Sequence, residues 1–117
     1  MRHLNKGRKF GRTRGDRELF MKSLIANLIM NKKIETTEAR ARELKVETEK
    51  LVTLAKKQTL AAYRLLISRI GEKPAKELFY NIAPKLQDRK GGYIRIVKSP
   101  RRRKRDGAPV AIVEFVL

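Results

Sequence analysis

The sequence predicts an α+β domain in which a small sheet packs on helices, in the order helix, strand, three helices and two strands. Apolar residues recur at helical spacing in four segments between residues 16 and 82. Two runs rich in β-branched residues, 93–98 and 110–117, close the chain. A length of 117 residues with 41% hydrophobic residues is typical of one folded domain spanning residues 1–117.

The first helix is predicted to begin at Asp16, whose side chain can accept a hydrogen bond from the free N–H groups of the first turn. Asn31, Lys32 and Lys33 are expected to end it. Ile34 to Thr37 follows as a short strand. The helix is expected to bury a stripe formed by Leu19, Phe20, Leu24, Ile25, Leu28 and Ile29.

The second helix is predicted to run from Glu38 to about Lys57, with Thr36 or Thr37 as its N-cap. Its helical spacing predicts a buried stripe of Ala41, Leu44, Thr48, Leu51, Val52 and Ala55. The opposite face is expected to be a solvated, mixed-charge surface of Arg42, Lys45, Glu49, Lys50 and Lys56.

Two shorter helices follow. After a break and cap at Gln58-Thr59, a helix from Leu60 to Ile70 is expected to end at Gly71. Its inward residues are predicted to be Ala62, Leu65, Leu66 and Ile70. The fourth helix is predicted from Pro74 to Ile82, burying Ala75, Leu78, Phe79 and Ile82. Pro84 is expected to end it, and residues 85–90 to form a loop or one loose turn.

The last two strands are predicted to form an antiparallel hairpin. Arg95 and Glu114 are both unsuited to burial, so we place them opposite each other on the outer face. This register also pairs Ile94 with Phe115, Ile96 with Val113 and Lys98 with Ala111, and it turns the four large apolar residues toward the helices. The hairpin tip is then expected to run from about Ser99 to Val110, with a basic loop at 99–109.

Charge is concentrated at two places. The chain has a formal net charge of +18, with 30 Lys and Arg against 12 Asp and Glu. Residues 1–15 carry six cations and no acid, and residues 89–105 carry nine cations and no acid. The first segment is interrupted by glycines, so we expect an extended basic arm at 1–15 beside a globular body at 16–117. Such like-charged segments predict a polyanionic partner.

The candidate binding residues from charge are Arg2, Lys6, Arg8, Lys9, Arg12 and Arg14 in the arm, and Arg89, Lys90, Arg101, Arg102, Arg103, Lys104 and Arg105 around the hairpin. Arginine holds phosphate bidentately and stacks on exposed bases. Phe10 and Tyr93 lie beside these runs, and each is a candidate either for base stacking or for packing in the fold.

Catalysis is poorly supported by the residue types. The chain has no cysteine, its one histidine is His3 in the arm, and it shows no metal-ligand spacing or phosphate-binding glycine loop. The longest apolar run is a few residues, so no membrane partner is expected. We therefore predict a binding protein that is not an enzyme, without cofactor, metal or small-molecule substrate. Structured RNA, which crowds phosphates at close quarters, is weakly favoured over DNA.

Several strings, in this order, resemble the bacterial large-subunit ribosomal protein L17 family: MRH with GRK, IETT leading into EARARELK, EKLVTLAK, GGYIRI and DGAPVAIVEF. The resemblance covers essentially the whole chain. It implies a structural, cytoplasmic ribosomal protein that binds large-subunit ribosomal RNA near the peptide exit region, beside neighbouring ribosomal proteins, and supports translation and subunit assembly. An organellar ribosome is also compatible with it.

The resemblance also implies particular RNA contacts. They include His3 and Gly7 together with the arm cations, the paired threonines Thr36 and Thr37, the glycine-tyrosine strand of Gly91, Gly92, Tyr93 and Arg95, and the basic loop before DGAP. Two other functions stay open from the residues alone. One is a DNA-bending protein that uses the arm and hairpin, and the other is a small RNA-modifying enzyme that uses its cations only for docking.

Overall fold

A computed structural model of the chain describes residues 13–117 and confirms the α+β class and the predicted order of elements. The elements are α1 (Arg14–Asn31), β1 (Lys33–Thr37), α2 (Glu38–Ala55), α3 (Leu60–Ile70), α4 (Glu72–Glu77), a π-helical segment (Leu78–Ile82), a 3₁₀ segment (Ala83–Leu86), β2 (Ile94–Arg102) and β3 (Pro109–Phe115). The core lies between the helices and the inner face of the sheet.

The start of α1 differs from the prediction. Thr13, not Asp16, is the N-cap, because its Oγ1 accepts a hydrogen bond from the Asp16 N–H. Asp16 instead lies in the first turn, where its negative charge complements the helix dipole. Arg14 and Gly15, which the sequence assigned to the extended arm, are therefore part of α1. The predicted end is confirmed: Asn31 is the last residue of α1, and Lys32 follows with a left-handed φ of 64°.

Helix α2 follows the sequence prediction closely. Thr37 caps it by accepting a hydrogen bond from the Arg40 N–H, and the helix ends at Ala55, two residues before the predicted end. All six residues of the predicted stripe are buried. The helix contacts all three strands, α1, α3 and the π-helical segment. A narrow apolar stripe is enough for this burial because its small alanines allow close approach.

Helix α3 has the predicted bounds, with Thr59 as its N-cap. Ala62, Leu66 and Ile70 are buried as predicted, but the prediction that Leu65 is buried is wrong, because its side chain is 46% exposed. Tyr63 and Ile67 pack against the core in its place. Helical spacing allows either Leu65 or Leu66 to face the core, so which of the two is buried depends on the neighbouring elements.

The fourth helix begins at Glu72 and continues past Pro84, contrary to prediction. It changes register instead of ending. In the π-helical segment the Ala83 N–H bonds to the Leu78 carbonyl, five residues back. The corresponding donor for the Phe79 carbonyl would be Pro84, which has no N–H. Gln58 supplies that bond: its Nε2 donates to the Phe79 carbonyl at 2.9 Å and to the Ala55 carbonyl at 2.9 Å.

The sheet has three antiparallel strands in the order β1-β3-β2. The predicted hairpin register is confirmed at Ile94↔Phe115, Arg95↔Glu114, Ile96↔Val113 and Lys98↔Ala111. Strand β1 pairs with the other edge of β3, from Lys33↔Glu114 to Thr37↔Val110. The predicted tip at Ser99 to Val110 was too long. After an irregularity beyond Lys98, Arg102 pairs with Pro109, which confines the tip to residues 103–108.

Thr48 is the one polar residue that is buried among residues 13–117. Its side chain is fully buried, and its Oγ1 has no hydrogen-bond partner among the described residues. An unpaired buried hydroxyl carries a desolvation penalty of about 1–3 kcal/mol. Thr48→Val replaces that hydroxyl with a methyl group of similar shape. We expect the free energy of unfolding in urea to rise by about 1 kcal/mol and the melting temperature by about 4 °C.

Thr48→Ser is the matched control, because it keeps the hydroxyl and removes the buried methyl group. We expect it to lower the free energy of unfolding by about 1 kcal/mol. If Thr48→Val were destabilising instead, the hydroxyl must have a partner that the structure does not show.

Gln58 generates a second prediction. Gln58→Leu removes both amide hydrogen bonds and leaves the Phe79 carbonyl without a donor, which should lower the free energy of unfolding by about 1–3 kcal/mol. In a Pro84→Ala background the new N–H can satisfy that carbonyl, so the same substitution should be less destabilising. Urea unfolding of the four proteins measures this coupling.

The control for Gln58→Leu is Gln87→Leu, which makes the same chemical change at a residue whose amide makes one exposed hydrogen bond, to the Lys56 carbonyl at 3.2 Å. We expect its effect to stay below about 0.5 kcal/mol. An identical loss from Gln58→Leu with and without Pro84 would show that Gln58 does not compensate for the proline.

Candidate nucleic-acid interface

The tip of the β2-β3 hairpin is an ordered turn. The Arg103 N–H donates to the Ala108 carbonyl at 3.2 Å, and the Gly107 N–H donates to the Arg103 carbonyl at 3.0 Å. Gly107 has a φ of 65°, a conformation that glycine adopts without strain. The Asp106 carboxylate accepts a hydrogen bond from the Ala108 N–H at 3.1 Å. Together these bonds fix the backbone that presents the basic side chains.

The five consecutive cations fall into two groups. Arg101 pairs with Glu35 on β1 at 2.8 Å, Arg102 donates to the Gly107 carbonyl at 2.8 Å, and Arg103 forms a two-pronged ion pair with Asp106. Lys104 and Arg105 are exposed and have no hydrogen-bond or ion-pair partner within residues 13–117. Three of the cations therefore order the hairpin, and two extend from its tip into solvent.

A shallow cleft of about 400 Å³ separates the tip from the start of α2. Arginines dominate its charge, because Arg40, Arg42 and Arg103 line it and Glu38 is its one lining acid. Arg42 pairs with Glu38, and the Arg40 guanidinium lies 4.9 Å from the centre of the Phe20 ring. The complete lining is Thr37, Glu38, Ala39, Arg40, Arg42, Arg103, Ala108 and Pro109. The cleft extends the positive surface of the tip onto the helical body.

The glycine-tyrosine segment is fastened to α2. The Tyr93 N–H donates to Glu49 Oε2 at 2.8 Å, and Lys56 Nζ donates to the Tyr93 hydroxyl at 2.9 Å and to the Arg89 carbonyl. Tyr93 is only 4% exposed, so the packing alternative describes its ring and no open face is left for a base. Gly92 precedes it with a φ of 64°, and the Gly92 carbonyl accepts a bond from Arg89 Nη2 at 3.3 Å.

Sequence reasoning missed the roles of Glu49 and Lys56. It assigned both to a solvated face of α2, but both are partly buried and hold the Tyr93 segment against the helix. Helical spacing alone could not reveal this, because the partners lie 44 and 37 residues further along the chain. The one sequence signal was the short distance of both residues from the predicted buried stripe.

The remaining predicted contacts lie apart from the tip. Arg95 pairs with Glu114 across the outer face of the sheet at 2.7 Å. The Thr37 hydroxyl is used as the cap of α2, and Thr36 is partly buried on β1. Lys90 and Gly91 are exposed in the connection before β2. The structure therefore brings Arg101 to Arg105 and the start of α2 together, whereas the glycine-tyrosine segment meets the other end of α2.

Of the predicted arm at 1–15, residues 13–15 belong to the described part of the chain. Arg14 is exposed at the start of α1, where its Nε donates to Glu18 at 3.3 Å. The other arm residues predicted to bind RNA lie outside the described residues: Arg2, His3, Lys6, Gly7, Arg8, Lys9 and Arg12, with Phe10 beside them.

Residues 13–117 contain neither a cluster of metal-binding side chains nor a membrane-spanning helix. No group of three or more His, Asp or Glu side chains there is arranged to hold a metal ion. None of the helices in that part of the chain is long and apolar enough to cross a membrane.

Comparison with known proteins identifies relatives along nearly the whole chain. The profile of the family described as Ribosomal protein L17 matches residues 20–116. A large ribosomal subunit protein bL17 from Persephonella marina is 49% identical, covering 99% of this chain and 95% of its own length. Proteins of the same name from Thermodesulfovibrio yellowstonii and Wolinella succinogenes are each 44% identical over 99% of this chain, covering 87% and 100% of their own lengths.

The contacts of the Asp106 carboxylate in the turn should depend on pH. The Arg103 guanidinium, and then the Ala108 N–H, lower the pKa of the Asp106 carboxyl from 3.8 to about 2. A carboxyl whose pKa falls on folding contributes stability above its unfolded pKa, and this contribution is lost as pH falls through the folded pKa. The turn contacts of Asp106 should therefore persist below pH 3.8 and disappear near pH 2. An NMR titration of the Asp106 carboxyl carbon measures the midpoint.

In the Arg103→Gln variant, the Asp106 midpoint should rise toward 3.8, because the larger cause of the lowered pKa is removed. Lys104→Gln removes an adjacent charge with no partner in the described structure and should leave the midpoint nearly unchanged. Equal shifts in the two variants would show that general positive charge, and not the Arg103 bond, lowers the pKa.

Proposed function

The chain belongs to the ribosomal protein L17 family, a family of structural constituents of the large ribosomal subunit and not of enzymes, and we propose that it binds and stabilises folded large-subunit ribosomal RNA near the peptide exit region. In this role it supports subunit assembly and translation on cytoplasmic ribosomes, beside neighbouring large-subunit proteins. The fold supplies the helical body, and the basic segments supply the RNA contacts.

The observation that carries the proposal is the division of cations at the hairpin tip. Lys104 and Arg105 remain exposed and unpaired within the described chain, on a turn that Arg103, Asp106 and Gly107 hold in place. Cations on a preorganised turn bind phosphate without the entropic penalty of ordering a loop. Arginine and lysine contacts to phosphate release counterions and dominate nucleic-acid affinity.

The other predicted contacts have different proposed roles. The arm cations and His3 extend the contact from the start of α1, and Lys90, Gly91 and Arg89 present exposed groups at the opposite end of α2. A Cβ added at Gly91 would meet no atom within 4 Å, so this side of the connection is open to an RNA backbone. Tyr93 positions this connection through its bonds to Glu49 and Lys56 and is not itself a stacking surface. Thr37 likewise positions the start of α2.

Replacing Lys104 and Arg105 with serine tests the proposal. The double variant should bind a large-subunit ribosomal RNA fragment more weakly, with a shallower dependence of affinity on salt. Each lost phosphate contact removes roughly 0.7–0.9 from the log–log slope, so the pair should remove about 1.4–1.8. Filter binding or fluorescence anisotropy between about 50 and 200 mM salt measures the slope, and circular dichroism should remain unchanged.

A Lys45→Ser and Lys50→Ser double variant is the control for total charge, since it also removes two positive charges, from α2, where Lys45 is half-buried and Lys50 pairs with Glu47 at 3.7 Å. Its slope should stay close to that of the native chain. Identical slopes in all three proteins would exclude the tip from the RNA contact. Equal affinity of the native chain for duplex DNA and for the ribosomal RNA fragment at moderate salt would contradict the proposed function itself.

A further inference from the structure

A second positive surface lies on the segment from α3 to the 3₁₀ turn. Residues 57–85 contain six Lys and Arg but two acids, Glu72 and Glu77. Glu77 is already paired with Lys32 at 2.7 Å. The six cations are all exposed and form no ion pair within residues 13–117: Lys57, Arg64, Arg69, Lys73, Lys76 and Lys85. Outside residues 1–15 and 89–105 the chain carries 15 cations and 12 acids, and this nearly balanced total conceals the local excess.

An exposed aromatic ring stands in this surface. Tyr80 is 55% exposed, although it belongs to a three-ring cluster. Its ring is edge-on to Phe79 at 5.0 Å and to Tyr63 at 5.6 Å, and those two rings stack on each other at 4.9 Å. The neighbouring rings restrict the orientation of Tyr80 while part of it stays open to solvent. A large, rigid and partly open ring is typical of a binding surface.

The backbone beneath Tyr80 is also fixed. Tyr80 lies within the π-helical segment, directly after Phe79, whose carbonyl accepts the bond from Gln58. The irregular register therefore has a specific hydrogen bond that maintains it. π-Helical segments are rare and often occur at functional sites. Here the register change places an exposed tyrosine on a segment whose other aromatic residue, Phe79, is buried.

Two exposed cations lie close to the aromatic cluster along the chain. Lys76 precedes Tyr80 by four residues in the continuous helical run, so the two side chains share a face. Arg64 follows Tyr63, the residue whose ring contacts Tyr80. An exposed aromatic ring, together with cations that form no ion pair within residues 13–117, is complementary to an unpaired nucleobase and its flanking phosphates. A protein partner would instead favour a surface depleted of lysine at its centre.

We propose that Tyr80 stacks on an unpaired base of ribosomal RNA while Arg64 and Lys76 bind the adjacent phosphates. This rests on the proposed function and adds a second contact surface to it. The hairpin tip lies beside the start of α2, and Tyr80 lies near its end, beyond Gln58. An 18-residue helix is about 27 Å long. The two surfaces therefore contact separate parts of a folded RNA.

The full-length Tyr80→Trp variant tests this directly, because the chain has no other tryptophan. Stacking on a base should quench the tryptophan emission as a large-subunit ribosomal RNA fragment, or single-stranded oligouridylate, is added. Tyr80→Ala should weaken binding to the RNA fragment roughly tenfold, whereas Tyr80→Phe, which keeps the ring, should bind within about twofold of the native chain. Leu60→Ala, an exposed apolar change on α3, is the control for general loss of surface area.

The outcomes separate this inference from the proposed function. If the Tyr80→Trp variant binds RNA like the native chain but its emission is not quenched, the stacking site is overturned and the proposed function stands. The same conclusion follows if the Tyr80→Ala variant binds RNA as tightly as the native chain. An equal loss from Leu60→Ala and Tyr80→Ala would indicate a general apolar contact and also overturns it. In the Lys104→Ser and Arg105→Ser background, quenching at saturation should persist. A native chain that binds no ribosomal RNA contradicts both proposals.

Discussion

The burial of α2 is the constraint on which the rest of the structure depends. Its buried stripe packs against the sheet and against other helices. Among the described residues, no other element joins the sheet part of the core to the helical part so extensively. A domain of this size has one core, and an 18-residue helix through it fixes the relative positions of everything packed on it. The two positive surfaces are held apart because they lie near opposite ends of this helix.

The two ends of α2 are secured by polar groups instead of apolar packing. At its start, Thr37 is both the last residue of β1 and the cap of the helix, which couples the sheet edge to the helix direction. At its end, Lys56 and Gln58 donate to carbonyl groups of the Arg89 connection and the π-helical segment. The Gln58 bond to the Phe79 carbonyl is partly buried, so its loss carries a free-energy penalty and the bond specifies geometry as well as stability.

Local patterns predicted most of the fold. The register followed from two charged residues that could not both be buried, and the stripe of α2 followed from helical spacing, because each depends on one face meeting one core. Predictions failed where a distant group decided the outcome. Pro84 did not end its helix, and the donor that it cannot give to the Phe79 carbonyl comes from Gln58, 21 residues before Phe79. Basic residues were recognised as candidates, but their ion-pair partners, such as Glu35 for Arg101, become adjacent only after folding.

The division of cations at the hairpin reconciles stability with binding. A run of five adjacent positive charges repels itself, and strong repulsion would favour an extended loop. Glu35 and Asp106 neutralise two of these charges, and the Gly107 carbonyl accepts from a third, so the turn is ordered before any polyanion arrives. Exposed ion pairs contribute little stability individually. The order of the turn therefore also depends on its backbone hydrogen bonds. Lys104 and Arg105 have no partner within residues 13–117, and under the proposed function RNA phosphates would relieve the repulsion that remains between them.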